Sequence, residues 1–138
     1  MLMLANKLTI DELASRIPDG AKVALPPDYA YCSLTAVRAL IRRKVKGLHL
    51  VGVPSLGFQA DMLIGAGCVD TLETAAVTLS EYGLAPRFTA AVKRAEINMM
   101  DATCPAIHAA LQASEKGIPF IPLRGLIGSD ILAHRKDW

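Results

Sequence analysis

The residues of this chain best able to do chemistry lie in a few short stretches. Arg124 stands just ahead of Ser129 and Asp130. A guanidinium there can grip a substrate carboxylate in bidentate geometry while Ser129 and Asp130 fix the adjoining turn, or it can close an internal ion pair with Asp130. The run Pro26-Pro27-Asp28-Tyr29-Ala30-Tyr31 combines two prolines that have no N–H to donate, a carboxylate that repels a developing negative charge when ionised, and two tyrosines that line a pocket or cover its mouth. Arg38, Arg42, Arg43, Lys44 and Lys46 form the one concentration of positive charge, which can meet phosphates or face solvent.

Other reactive residue types carry structural readings. His49 alternates with Leu48 and Leu50 as on a strand, and His108 lies on a helical stretch near Cys104, so neither has the spacing of a metal ligand. Cys32, Cys68 and Cys104 are odd in number, widely separated and set among apolar or small residues, which reads as reduced, partly buried thiols. Gly65-Ala66-Gly67 follows a helical stretch and lacks the third glycine of a dinucleotide fingerprint.

The elements that must position these residues alternate. Thr9 and Glu12 form a capping box for a helix to about Arg16, stopped by Pro18-Asp19-Gly20. Ala21 to Leu25 is a short strand ending at the two prolines. Ser33 caps a helix from Leu34 to Val45 with its apolar residues at helical spacing, and Gly47 terminates it. Leu48 to Val53 reads as a buried strand, and Pro54, Ser55 and Gly57 turn the chain into a helix that ends near Gly65 to Gly67. Strands at Thr71 to Val77 and Ile97 to Met100 flank a helix at Phe88 to Arg94. Pro105 opens a helix to Lys116, Gly117 closes it, and Ile118 to Leu123 is extended.

This rhythm predicts a single α/β domain over residues 1–138: an open, mainly parallel sheet with helices on both faces, joined by right-handed crossovers. Ligands of such sheets bind at the carboxyl ends of the strands, so the loops to watch are Pro26 to Ser33, Pro54 to Gly57, Ser80 to Gly83 and Arg124 to Asp130. The 138 residues are 52% hydrophobic and 20% charged, too apolar for disorder. No apolar run approaches the ~20 residues of a membrane helix, and Met1 to Ala5 is too short for a signal-peptide core. The net charge of +2 is scattered rather than arrayed as a nucleic-acid stripe. A cytoplasmic protein without nucleic-acid or membrane partners is expected.

Three stretches resemble the alpha subunit of family I coenzyme A transferases, the group that contains glutaconate and 3-oxoacid CoA transferases. They are Asp19 to Leu25 with the helix Val37 to Arg43; Gly47 to Val51; and Gly117-Ile118-Pro119-Phe120-Ile121-Pro122-Leu123-Arg124-Gly125 followed by Gly128-Ser129-Asp130. The last is similar to the family's G-x-P-F-x-P-T-R segment ending in G-[ST]-D, and the resemblance covers about residues 8 to 132.

The resemblance implies an alpha-type subunit acting on acyl-CoA thioesters, with coenzyme A thioester as substrate and no tightly bound cofactor. A beta-type subunit would supply the catalytic glutamate, which forms an acyl anhydride and then a glutamyl-CoA thioester. No catalytic nucleophile is expected here; Pro27, Asp28, Tyr29, Tyr31, Pro54, Ser55, Glu96, Arg124 and Ser129 are the substrate-pocket candidates. Glu96 falls where glutaconate-type alpha chains carry an acid. It can orient substrate, act as a base in relatives that hydrolyse a ring-bearing CoA thioester, or be an exposed acid paired with Lys93 or Arg94.

Two departures qualify the resemblance. The family's Gly-Gly-Phe element reads Pro26-Pro27-Asp28-Tyr29 here, and the chain stops at Trp138 where family members continue. A short or truncated unit would need a partner chain or self-association to cover its sheet edge, and a catalytically degenerate binding module is the alternative role.

Overall fold

The computed structural model describes residues 6–138; the apolar opening Met1 to Ala5 lies outside them. The first helix, α1 (Ile10–Ser15), begins at the expected capping box, in which the Glu12 N–H donates to the Thr9 hydroxyl at 3.2 Å and the Thr9 N–H donates to the Glu12 carboxylate at 2.7 Å. There follow β1 (Lys22–Leu25), α2 (Leu34–Arg43), β2 (Leu48–Gly52), α3 (Phe58–Gly65), β3 (Val69–Thr74), a 3-10 turn at Ser80–Tyr82, α4 (Pro86–Lys93), β4 (Asn98–Asp101), α5 (Cys104–Lys116) and α6 (Ile131–His134).

The end of α2 and both ends of β3 differ from expectation for local reasons, and α4 begins at Pro86, ahead of the expected Phe88, with the proline in its first turn. Helix α2 stops at Arg43 rather than Val45 because Lys44 turns left-handed, with φ 57°, and sends Val45 fully into the core. Strand β3 starts and ends earlier than expected. The Thr74 hydroxyl lies 3.0 Å from the Ala76 carbonyl and 3.2 Å from that of Pro54, which turns the chain out of the ladder. Ser33 stands at the N-cap of α2 without a side-chain capping bond.

The four strands pair in sequence order, β1-β2-β3-β4, and every pairing is parallel. Right-handed crossovers between successive neighbours bring the connecting helices onto one face. That face holds the main core, where Leu50 and Leu72 project against Val37 and Leu40 of α2, Leu63 of α3 and Ala91 of α4. Each of these larger aliphatic side chains contributes about 1.5–3 kcal/mol through burial.

The opposite face carries the other half of the pleat, and there the alternation brings charge inward. Glu73, with only 12% of its side chain exposed, meets Lys22 of β1 at 3.0 Å, His49 of β2 at 3.1 Å and Arg135, just beyond α6, at 2.8 Å. Arg135 is itself 2% exposed; it also donates to the Asp101 carbonyl at 3.0 Å, pairs with Asp137 at 2.9 Å and lies over the Trp138 ring. One carboxylate thus joins β1, β2 and β3 to the carboxyl-terminal segment. Removing a partner from such a buried pair costs about 3–5 kcal/mol, because the remaining charge has no substitute for water.

Two predictions follow from these layers. Leu50→Ala should destabilise the domain by about 2–5 kcal/mol in urea unfolding, since it opens a cavity at the centre of the sheet. A loss under about 1 kcal/mol would mean the core lies elsewhere.

The second concerns pH. The Glu73 carboxyl is pushed up by burial but pulled further down, below its ordinary 4.5, by hydrogen bonds and charges of Lys22 and Arg135. Burial, and then the Lys22 charge, hold His49 below its ordinary 6.5 against the pull of Glu73. Both groups have depressed values in the folded state, so their stabilisation is present above those ordinary values and is lost as pH falls. The melting temperature should therefore drop in two stages as pH falls, the first below about 6.5 and the second below about 4.5, and His49→Gln should remove the upper stage alone. A melting temperature constant across that range would contradict the assignment.

Candidate functional site

All three connecting loops leave the sheet at the carboxyl ends of their strands and meet there. The loop after β1 is tied down by Gln59, a fully buried side chain of α3. Its oxygen accepts the Ser33 N–H at 2.9 Å and its amide donates to the Pro26 carbonyl at 3.3 Å. Asp28 adds a second tie, accepting the Phe58 N–H at 2.5 Å and the Cys32 thiol at 3.1 Å. Pro27 is buried beneath this loop.

Gly57 is where the loops converge. A Cβ at this position would stand 2.2 Å from the Asp28 carboxylate and 2.9 Å from the Thr78 carbonyl, so only glycine lets the loops after β1, β2 and β3 approach this closely. Before it, the Val53–Pro54 peptide is cis, and the Pro54 carbonyl accepts the Ala75 N–H at 3.1 Å. Leu56 bridges to Val77, and Thr78 bridges to Leu84, which carries the third loop across the same end.

Around this junction the surface is aromatic and open. Tyr29, Tyr31, Tyr82 and Leu84 are all at least 70% exposed, and Tyr31 is held with a positive φ of 66°. The tyrosines therefore stand at the rim rather than beneath it. Prolines at 26 and 27 offer no donors, and the Asp28 carboxylate is already occupied. The Cys32 thiol is pushed up to about 11 by burial and then by Asp28, so it keeps its proton at neutral pH and is no thiolate nucleophile.

The remaining sequence candidates lie elsewhere. Glu96 precedes β4, at the amino-terminal end of the sheet, and is held below its ordinary pKa first by a hydrogen bond to Arg94. That pair is bidentate, at 2.6 and 2.8 Å, which matches the reading of Glu96 as an exposed, ion-paired acid. Arg124 is exposed and forms no ion pair with Asp130; the turn is held instead by the Ser129 hydroxyl, which donates to the Leu126 carbonyl at 2.8 Å. These residues belong to the segment that returns along α5 and lines an apolar groove of about 720 Å³ with Ala106, Ala113, Ile118, Phe120 and Trp138.

Sequence reading missed Gln59, Asp61 and the Glu73 to Arg135 pair. Gln59 and Asp61 are polar residues in an otherwise apolar stretch, Phe58 to Ile64, which was an available signal of buried hydrogen-bond work. Asp61 accepts the Arg87 and Phe88 N–H groups, each at 2.8 Å, and so holds the start of α4. Glu73 offered no such signal, since its partner lies 62 residues away.

No family model matches the chain. An uncharacterized protein of Archaeoglobus fulgidus is 32% identical over 132 residues, which cover 93% of this chain and 29% of that protein. Among solved structures, a cysteine-to-serine variant of the decarboxylase AibA/AibB is similar at a TM-score of 0.83 and 23% identity, over 94% of this chain and 50% of that one. Glutaconate coenzyme A-transferase of Acidaminococcus fermentans is similar at a TM-score of 0.80 and 22% identity, over 91% of this chain and 40% of that one. The chain spans half or less of the length of each. It carries the α/β fold of family I coenzyme A transferases, as its segment order leads one to expect.

Proposed function

We propose that this chain is an alpha-type subunit that forms one wall of an acyl-CoA site, with a second chain of beta type supplying the catalytic glutamate. The observation that carries this reading is the convergence of three strand-end loops at Gly57 beneath an exposed rim of Tyr29, Tyr31, Tyr82 and Leu84. Such a junction is where open α/β sheets bind ligands, and an aromatic rim left open is what a second protein surface covers. The likeness of the fold to glutaconate coenzyme A-transferase supports the substrate class.

The same loops explain why this chain would not act alone. Its thiol is protonated, its loop carboxylate is engaged and its prolines cannot donate, so it offers shape rather than a nucleophile. Of the sequence candidates, Pro27, Asp28, Tyr29, Tyr31, Pro54 and Ser55 belong to this junction. The ring-opening hydrolase alternative leans on Glu96, whose carboxylate is taken by Arg94 at the other end of the sheet, and is the weaker reading.

Titration calorimetry with acetyl-CoA and free CoA tests the reading. Binding and turnover should appear only when a beta-type chain is present; no response in either case would leave a binding or assembly module. In the pair, Gly57→Ala should abolish the acyl-CoA response and lower stability by about 1–3 kcal/mol, since its Cβ forces the loops apart. Tyr31→Ser should weaken association with the second chain while leaving the melting temperature of this chain unchanged, because its ring is 96% exposed. An unaltered association constant would remove the rim from the interface.

A further inference from the structure

Residues 131–138 lie against the face of the sheet that carries no crossover helix, and their attachment there is narrow. They comprise the single turn of α6, Ile131–His134, and the four residues that follow it. One turn of helix has no stability of its own, because ordering it costs more than its few hydrogen bonds return. Within the segment Arg135 alone is buried; the other side chains are exposed or half-buried.

Among the described residues, every hydrogen bond and ion pair that ties this segment to the sheet runs through Arg135. Its guanidinium donates to Glu73 of β3 at 2.8 Å and to the Asp101 carbonyl of β4 at 3.0 Å, and it lies 3.4 Å from the Met100 carbonyl. Its other bonds stay within the segment, to Asp137 at 2.9 Å, and the Trp138 ring centroid stands 3.7 Å away. Leu132, Asp137 and Trp138 line the apolar groove beside α5, so the segment is also one wall of that groove.

The charge around this attachment depends on protons. Lys22 of β1 and His49 of β2 share Glu73 with Arg135, so three basic groups compete for one carboxylate. Asp137 is the one other acid that pairs with any of them among the described residues; β4 contributes carbonyls, and His134 and Lys136 are exposed. A proton on His49 adds a third positive charge that repels Arg135, and a proton on Glu73 removes the main counter-charge of a buried guanidinium. The least costly relief is local, since swinging the segment outward gives Arg135 to water and leaves the sheet and its aliphatic core intact.

We propose that residues 131–138 form an acid-released strap, which opens from the sheet as a unit while the four-stranded domain stays folded, with the Glu73–Arg135 pair as its catch. Opening uncovers Glu73 and His49 and removes one wall of the apolar groove. Since His49 is held below its ordinary 6.5 and Glu73 below its ordinary 4.5, both groups favour the closed strap above those values and release it in turn as pH falls. The strap requires neither a second chain nor a thioester, so it stands independently of the acyl-CoA reading.

Trp138 is the only tryptophan of the chain and lies over Arg135, so its fluorescence reports the strap directly. In an acid titration of the purified chain, the emission should shift to longer wavelength at a higher pH than that at which the far-ultraviolet circular dichroism is lost. Glu73→Gln should give the shifted emission already at neutral pH with the circular dichroism retained. Asp137→Asn removes only a contact at the exposed end of the catch; it should move the emission change to higher pH and leave the circular dichroism transition in place, which decides the matter if Glu73→Gln does not fold. Glu96→Gln, at an ion pair outside the strap, should alter neither curve. The proposal is overturned if emission and circular dichroism change together in the parent chain, if folded Glu73→Gln keeps the parent emission at neutral pH, or if Asp137→Asn leaves the emission curve where it was.

Discussion

Parallel pairing is the constraint on which the rest of this molecule depends. A parallel strand cannot be reached by a tight hairpin, so the chain must travel back over a face of the sheet before each new strand begins. Because β1 to β4 pair in sequence order, every such return uses the same face and every strand-to-helix loop emerges at the same end. The thick aliphatic core on one side and the junction at Gly57 are both products of that geometry. The second face is left without a crossover helix between strands, and the chain closes it with a carboxyl-terminal segment drawn down by Arg135.

Buried polar groups then convert this arrangement into defined positions. Gln59, Asp61 and Glu73 are each removed from water, and each is offset by several partners rather than one: two backbone groups for Gln59, two N–H groups and a guanidinium for Asp61, and three basic side chains for Glu73. Hydrogen bonds of this kind add little net stability when made but cost much when broken, so they specify geometry more than they deepen the energy well. The consequence for function is direct. Loops after β1 and β2 are held by Gln59 and Asp28, and the start of α4 is held by Asp61, so the aromatic rim they present rests on braced backbone.

Sequence reading succeeded where the signal is local. The Thr9 and Glu12 capping box, the left-handed Gly117 that ends α5, and the βαβ rhythm are all written in neighbouring residues, because caps and hydrophobic periodicity act over a turn or two. It was less sure at the end of α2 and the limits of β3, where Lys44 and Thr74 make backbone turns that no glycine or proline announces. Helix α6 was overlooked for a similar reason: its four residues are too few to show a period, and its place is set by Arg135 meeting Glu73 across the sheet. The separation of Glu96 from the loop residues also required the fold, since only strand direction tells that a residue before β4 lies at the far end from residues after β1.

By itself, then, the sequence determined the class of fold, the order of its elements and the loops that would gather at one end, because hydrophobic period and turn chemistry are properties of short segments. It also marked the loop after β1 as poor in hydrogen-bond donors, since two prolines lack N–H whatever their surroundings. Only the tertiary structure decided that Gly57 is the meeting point of three loops, that Asp28 spends its carboxylate on Phe58 and Cys32, and that Glu73 holds the carboxyl-terminal segment to the sheet. Those outcomes depend on contacts between residues distant in the chain, and nothing in local composition encodes which of many charged side chains will be brought to the same place.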